Sequence, residues 1–102
     1  MAIKIQGTVV LDYDGASYSS TNIAVGASAL ASITTGAYNV GVGYEALYDN
    51  TTGTNNAGVG YRALTSNTIG YSNVGVGYAA LYNNTTGNYN VGVGYQALYT
   101  NT

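Results

Sequence analysis

The chain has 102 residues, of which 46% are hydrophobic and 6% charged, with a formal net charge of -2. Without Cys or His, disulfides, thiolate chemistry and the usual zinc sites are excluded. Lys4 and Arg62 are the only cations, too few for the basic patch that nucleic acid or an anionic membrane surface requires.

From the N-terminus, Ile3-Lys4-Ile5-Gln6 alternates apolar and polar as a half-buried strand does. Gly7 interrupts, and Thr8-Val-Val-Leu11 forms a second strand-like run. Asp12-Tyr-Asp-Gly15 carries turn chemistry, and a small polar tract follows to Thr21. Residues 1–21 are expected to form a short hairpin and lead-in that attaches or caps the rest. No apolar h-region of a secretory signal opens the chain, and no apolar run approaches the ~20 residues of a membrane span. Assembly in a cytoplasm is the expectation, with no membrane insertion.

From Asn22 the chain repeats. Asn39-Val-Gly-Val-Gly-Tyr-Glu-Ala-Leu47 returns from Asn56, Asn73 and Asn90, and a degenerate copy begins at Asn22. Gly43, Gly60, Gly77 and Gly94 stand at a constant spacing of 17 residues. A fixed short period marks a repeat architecture, each repeat being one structural unit. The units run 22–38, 39–55, 56–72, 73–89 and an incomplete 90–102. Paired glycines, β-branched Val and the Asn50-Thr-Thr-Gly53 turn all oppose a helix. The fold class predicted is all-β: a parallel β-solenoid (β-roll) whose rungs each hold two short strands and two turns.

Within a rung, Val40 and Val42 alternate with Gly41 and Gly43, so period-2 geometry separates them onto two faces. Val is expected to point inward. Stacked rungs turn sequence columns into stripes: Val42, Val59, Val76 and Val93, with Leu47, Leu64, Leu81 and Leu98, form the predicted core. Asn39, Asn56, Asn73 and Asn90 form one amide ladder, and Asn50, Asn67, Asn84 and Asn101 a second. The column Ser28, Glu45, Arg62, Ala79, Gln96 tolerates both charges and is assigned to solvent. Tyr44, Tyr61, Tyr78 and Tyr95 form an aromatic stripe expected to pack between neighbouring chains, since aromatics are enriched in interface cores. Tyr48, Tyr82 and Tyr99 share a column with Ala31 and Thr65 and are expected to be the more exposed set. So thin a roll has a poor core, and packing copies around a threefold axis is the expected remedy.

The motif Asn-Val-Gly-Val-Gly-Tyr-x-Ala-Leu resembles the head repeats of YadA-like trimeric adhesins. With Asn50-Thr-Thr-Gly53 it is closer still to the repeats of phage tail-fibre-like proteins, over residues 22–102. The opening Met1–Val10 also resembles the start of structural fibre proteins of marine cyanophages. The resemblance implies a left-handed β-roll assembled as a homotrimer. It departs from the adhesin pattern in showing no export signal and in stopping at Thr102 inside a rung, so the chain is expected to continue or to have its open edge covered.

Other motifs are weighed against plainer readings. Gly41-Val-Gly-Tyr-Glu-Ala46 matches a dinucleotide fingerprint but lacks its helix and βαβ context. Asp12 and Asp14 fall short of the oxygen ligands calcium needs. Glu45, Asp49, Asp12 and Asp14 are the only carboxylates and no base stands near a nucleophile, so no catalytic residue, cofactor or metal is assigned. Glycosylation-type triplets at Asn50, Asn83 and Asn84 follow from turn composition. The expected function is a non-enzymatic virion structural protein, part of a trimeric tail fibre or spike. Residues 1–21 would contact other virion proteins, and a host-surface glycan is the candidate partner of the roll. Alternatives are a capsid decoration or self-polymerising fibre subunit, and an ice- or polysaccharide-binding solenoid using Thr34, Thr51, Thr68, Thr85 and Thr102.

Overall fold

A 17-residue repeat closes on itself only if the chain turns sharply within each unit, and here most of the rung is turn. The computed structural model describes the backbone of residues 2–5 and 8–13 and the whole of residues 22–100. Asp12 and Tyr13 of the expected turn continue β2, while Asp14, Gly15, the polar tract to Thr21, Asn101 and Thr102 lie outside the described residues. The strands are β1 (Ala2–Ile5), β2 (Thr8–Tyr13), β3 (Ile23–Val25), β4 (Val40–Val42), β5 (Ala57–Val59), β6 (Val74–Val76) and β7 (Val91–Val93). They form one sheet in sequential order. β1 and β2 make an antiparallel pair, and β2 runs antiparallel to β3, with Asp12 opposite Ala24. From β3 to β7 the pairing is parallel and in strict register, Gly41 opposite Gly58 and Val42 opposite Val59. The chain is an all-β parallel solenoid, without a helix among the described residues.

Each rung holds one strand of three residues, not two. The return segment, expected as a second strand or an irregular stretch, is a run of linked turns. Ala46 donates to the Gly43 carbonyl, Tyr48 to Glu45 and Asn50 to Leu47, at 3.2–3.3 Å. Linking turns this tightly requires left-handed residues, and Glu45 (φ 54°), Leu47 (φ 53°) and Asn55 (φ 58°) supply them in this rung. Each such non-glycine residue costs about 1–2 kcal/mol. Hydrogen bonds to the neighbouring rungs offset that cost around the whole circuit. Val40 donates to the Asn56 carbonyl (2.8 Å), Leu47 to Ala63 (3.0 Å), Thr51 to Thr68 (3.0 Å) and Asn55 to Ala37 (3.1 Å).

The interior is built from one leucine column, small alanines and amides. Leu47, Leu64 and Leu81 are fully buried, as are Ala46, Ala63 and Ala80. Leu98, predicted as core, is 47% exposed, because no further described rung lies over it. The valines depart from expectation. Val42, Val59 and Val76 are only half-buried and Val93 is 67% exposed, while the alternating Gly41, Gly58, Gly75 and Gly92 are buried. The glycine face points inward and the valine face outward. The reason is space: a β-carbon on Gly58 would lie 3.4 Å from Leu47 Cγ and 3.0 Å from the Ala63 carbonyl oxygen. The first rung carries Ala24 at this position, packed in the leucine cluster, where no leucine of a preceding rung crowds it.

Asn39, Asn56 and Asn73 of one ladder and Asn50, Asn67 and Asn84 of the other are buried with the leucines, and Asn90 in the last rung is half-buried. Asn39 Oδ1 accepts from the Asn56 backbone amide at 3.0 Å, and Asn56 Nδ2 donates to the Gly70 carbonyl at 2.8 Å. In the second ladder Asn67 Nδ2 donates to Asn50 Oδ1 (2.8 Å) and to the Gly70 carbonyl (3.1 Å), closing its own turn. In the first rung that ladder position is Ile33, which packs against the core instead. A buried amide is tolerated only when its donors and acceptors are met, and the repeat meets them by stacking each asparagine on the next.

Candidate interaction surface

Among the described residues, the valine face, the tyrosine columns and an ion pair are left on the outside. Tyr44 follows Gly43, whose φ of 125° starts the turn run, so its side chain leaves the rung at the sheet edge. The same geometry in each rung stacks the rings. Centroids are 5.2 Å apart for Tyr44–Tyr61, 5.1 Å for Tyr61–Tyr78 and 5.0 Å for Tyr78–Tyr95, with planes within 15° of parallel. Tyr44, Tyr61 and Tyr78 remain 40–45% exposed. The inner ring faces are therefore occupied by other rings, and the stripe presents edges and a row of hydroxyls. Stacking a sugar on these faces is blocked along the middle of the ladder.

The second column is not the more exposed one in the single chain. Tyr48 is 37% exposed, and Tyr82 and Tyr99 are half-buried, stacked at 4.8 Å. Thr65 stands between Tyr48 and Tyr82 in this column, so Tyr48 lacks a ring above it. Tyr71 and Tyr89 meet edge to face at 5.3 Å. Their hydroxyl hydrogen bond, with the charge interaction between them, raises the Tyr71 pKa above the ordinary tyrosine value.

In the column assigned to solvent, Arg62 Nε donates to Glu45 Oε1 at 2.8 Å. The Arg62 guanidinium also lies 5.3 Å from the Tyr61 ring centroid and 5.8 Å from that of Tyr44. Desolvation opposes its charge, but Tyr61 and Glu45 outweigh that and hold its pKa above the ordinary value. Ala79, in the same column, is buried, being too short to reach past its neighbours.

The threonine column does not offer a free donor array. Thr34, Thr51 and Thr68 each donate the hydroxyl to the threonine carbonyl one rung on, at 3.0–3.3 Å. Asn50 and Asn84 are fully buried, which leaves no room for a glycan. A hollow over the first rung is lined by Ala24, Ser28, Leu30 and Ile33 among others, without a titratable side chain. Among the described residues no three His, Cys, Asp or Glu converge to hold a metal ion, and no helix is long and apolar enough to cross a membrane.

Sequence reasoning missed the outward apolar face. Its columns, Ile23–Val40–Ala57–Val74–Val91 and Val25–Val42–Val59–Val76–Val93, contain no polar residue. A hint lay in the column variation: the first outward column accepts Ile, Val or Ala, whereas the inward column is Gly41, Gly58, Gly75 and Gly92 after Ala24 in the first rung. A position that is glycine in every rung but the first, where Ala24 stands, is one without space for a β-carbon once another rung precedes it. No protein-family model, curated protein or solved structure matches this chain.

Proposed function

We propose that the chain is a non-enzymatic structural protein: a rigid solenoid spacer in a virion fibre or spike, assembled as a homotrimer. The observation that carries this reading is the uncharged Val/Ile/Ala face, with the tyrosine ladder at its edge, left half-exposed on the single chain. Copies can meet on the Val/Ile/Ala face without desolvating a charge, with the tyrosine hydroxyls left at its polar rim. In this assembly the valine face would meet the shared axis, the glycine face being enclosed within each roll. The resemblance of the repeats to tail-fibre-like and adhesin-head repeats supports the same assembly. Residues 1–21 would join the roll to other virion proteins, and a host-surface glycan would meet the hydroxyl row of the tyrosine edges.

Light scattering on the purified chain tests the assembly. A discrete trimer is expected, and Val59→Lys should shift it to monomer with the circular dichroism spectrum unchanged. A monodisperse wild-type monomer would overturn the assembly, and open-ended polymer would move the reading to a self-polymerising subunit. Loss of adsorption by a virion lacking the protein tests the fibre role.

A further inference from the structure

We propose that the Tyr44–Tyr61–Tyr78–Tyr95 ladder is an oxidative cross-linking site, at which one-electron oxidation joins tyrosines of adjacent rungs as dityrosine. Composition directs the oxidation there. The chain has no Trp and no Cys, and its one Met is residue 1, against twelve Tyr. A one-electron oxidant therefore finds tyrosine as the most readily oxidised side chain of the roll.

Geometry then selects the partner. The three ring pairs of the ladder have centroids 5.0–5.2 Å apart, and strand pairing in strict register keeps each pair together. A phenoxyl radical formed on one ring always has a second tyrosine within reach. Such an intramolecular encounter outcompetes collision between dissolved molecules by the large effective molarities of held reactants. Face-to-face rings must swing edge-on for their ortho carbons to bond. Side chains 40–45% exposed have the rotational room for that swing, and the oxidant has access to them. Exposure alone is not sufficient. Tyr38 is 60% exposed, but Asn55 holds its place in the next rung, so it has no coupling partner there.

The chemistry balances. Each phenol gives one electron to the oxidant and its hydroxyl proton to water. The two phenoxyl radicals form one C–C bond between carbons ortho to the oxygens. Each of those carbons then passes its hydrogen to its own oxygen, restoring two phenols. In sum, two electrons and two protons leave. A haem peroxidase working on hydrogen peroxide takes up both, reducing the peroxide to water. The product ties one rung covalently to the next and prevents them from peeling apart.

The position of Arg62 provides the test. Trypsin cleaves after Lys4 and Arg62, so Tyr44 and Tyr61 leave in peptide 5–62 and Tyr78 and Tyr95 in peptide 63–102. The intact chain is oxidised with peroxidase and hydrogen peroxide, denatured, and the band of single-chain mass is digested. The expected result is dityrosine fluorescence in that band and a species carrying both peptides, joined at Tyr61 and Tyr78 and lighter by two hydrogens. Tyr78→Phe keeps the ring but should abolish the joined species, while dityrosine from Tyr44–Tyr61 and Tyr82–Tyr99 persists. Tyr61→Phe should do the same, retaining Tyr78–Tyr95. The proposal is overturned by any of three results: absence of dityrosine under conditions that couple free tyrosine, dityrosine confined to bands of two or more chains, or a joined species that survives in both variants.

Discussion

A β-carbon on Gly43 would stand 2.6 Å from the carbonyl oxygen of Gly60, the equivalent glycine of the next rung. The two backbones approach where each rung leaves its strand and enters the turns, with φ of 125° and 130°. Glycine is required there twice over, by contact and by conformation.

The two requirements can be separated by mutation. In Gly60→Ala the new β-carbon would lie 2.5 Å from the Gly77 carbonyl oxygen, whereas one on Gly94 meets nothing within 4 Å. Gly60→Ala should cost roughly 3 kcal/mol, overpacking and positive-φ strain combined. Gly94→Ala should cost about 1 kcal/mol, from φ alone. Urea denaturation of both variants checks this, and equal losses would show that the close approach contributes nothing.

Asn67 anchors the second ladder from the middle. Its amide donates to Asn50 Oδ1 and the Gly70 carbonyl, and its oxygen accepts from Asn84 Nδ2 at 2.9 Å. Asn67→Ala leaves buried partners unmet, and a loss of about 2–4 kcal/mol is expected. Asn67→Asp should be worse at neutral pH, since it buries a carboxylate beside other oxygens. Burial raises the folded-state pKa of that carboxyl above its unfolded value of about 3.9. The variant should therefore be most stable below about pH 4 and lose stability as the pH rises through the folded pKa. A stability profile against pH for Asn67→Asp, with wild type as reference, reads this directly.

Leucine and valine should differ in how much they contribute. Leu64 is fully buried between rungs, so Leu64→Ala should cost about 2–5 kcal/mol. Val59 is half-buried on the outward face, and Val59→Thr keeps the β-branched shape at a cost below about 1 kcal/mol. Thermal melts at a concentration where the chain is monomeric make the comparison. A large loss in Val59→Thr would return valine to the interior.

The Arg62–Glu45 pair is partly exposed, with side chains 35% and 22% accessible. Solvent-exposed pairs of this kind contribute little to stability and are screened by salt. Glu45→Gln should therefore leave the melting temperature nearly unchanged in high salt, and lower it only slightly in dilute buffer.

Much of this architecture was readable in the chain. The constant spacing of Gly43, Gly60, Gly77 and Gly94 gave the solenoid and its register, because one inserted residue would have moved every column. Recurrence of Leu47, Leu64 and Leu81 marked the apolar core, and recurrence of asparagine marked ladders that pair rung to rung. Only the tertiary structure decided which way the strand faces. Period-2 alternation separates Val42 from Gly41 but does not say which looks inward, and hydrophobicity favoured valine. The roll is so narrow that leucine and asparagine columns already fill it, so the inward strand position has space for a hydrogen atom and not for a side chain. The left-handed Leu47 and Glu45 were equally hidden, since neither residue type prefers that conformation; linked turns impose it. Burial of Asn50 and Asn67 followed for the same reason, because an amide's cost in the interior depends on partners that stacking alone supplies.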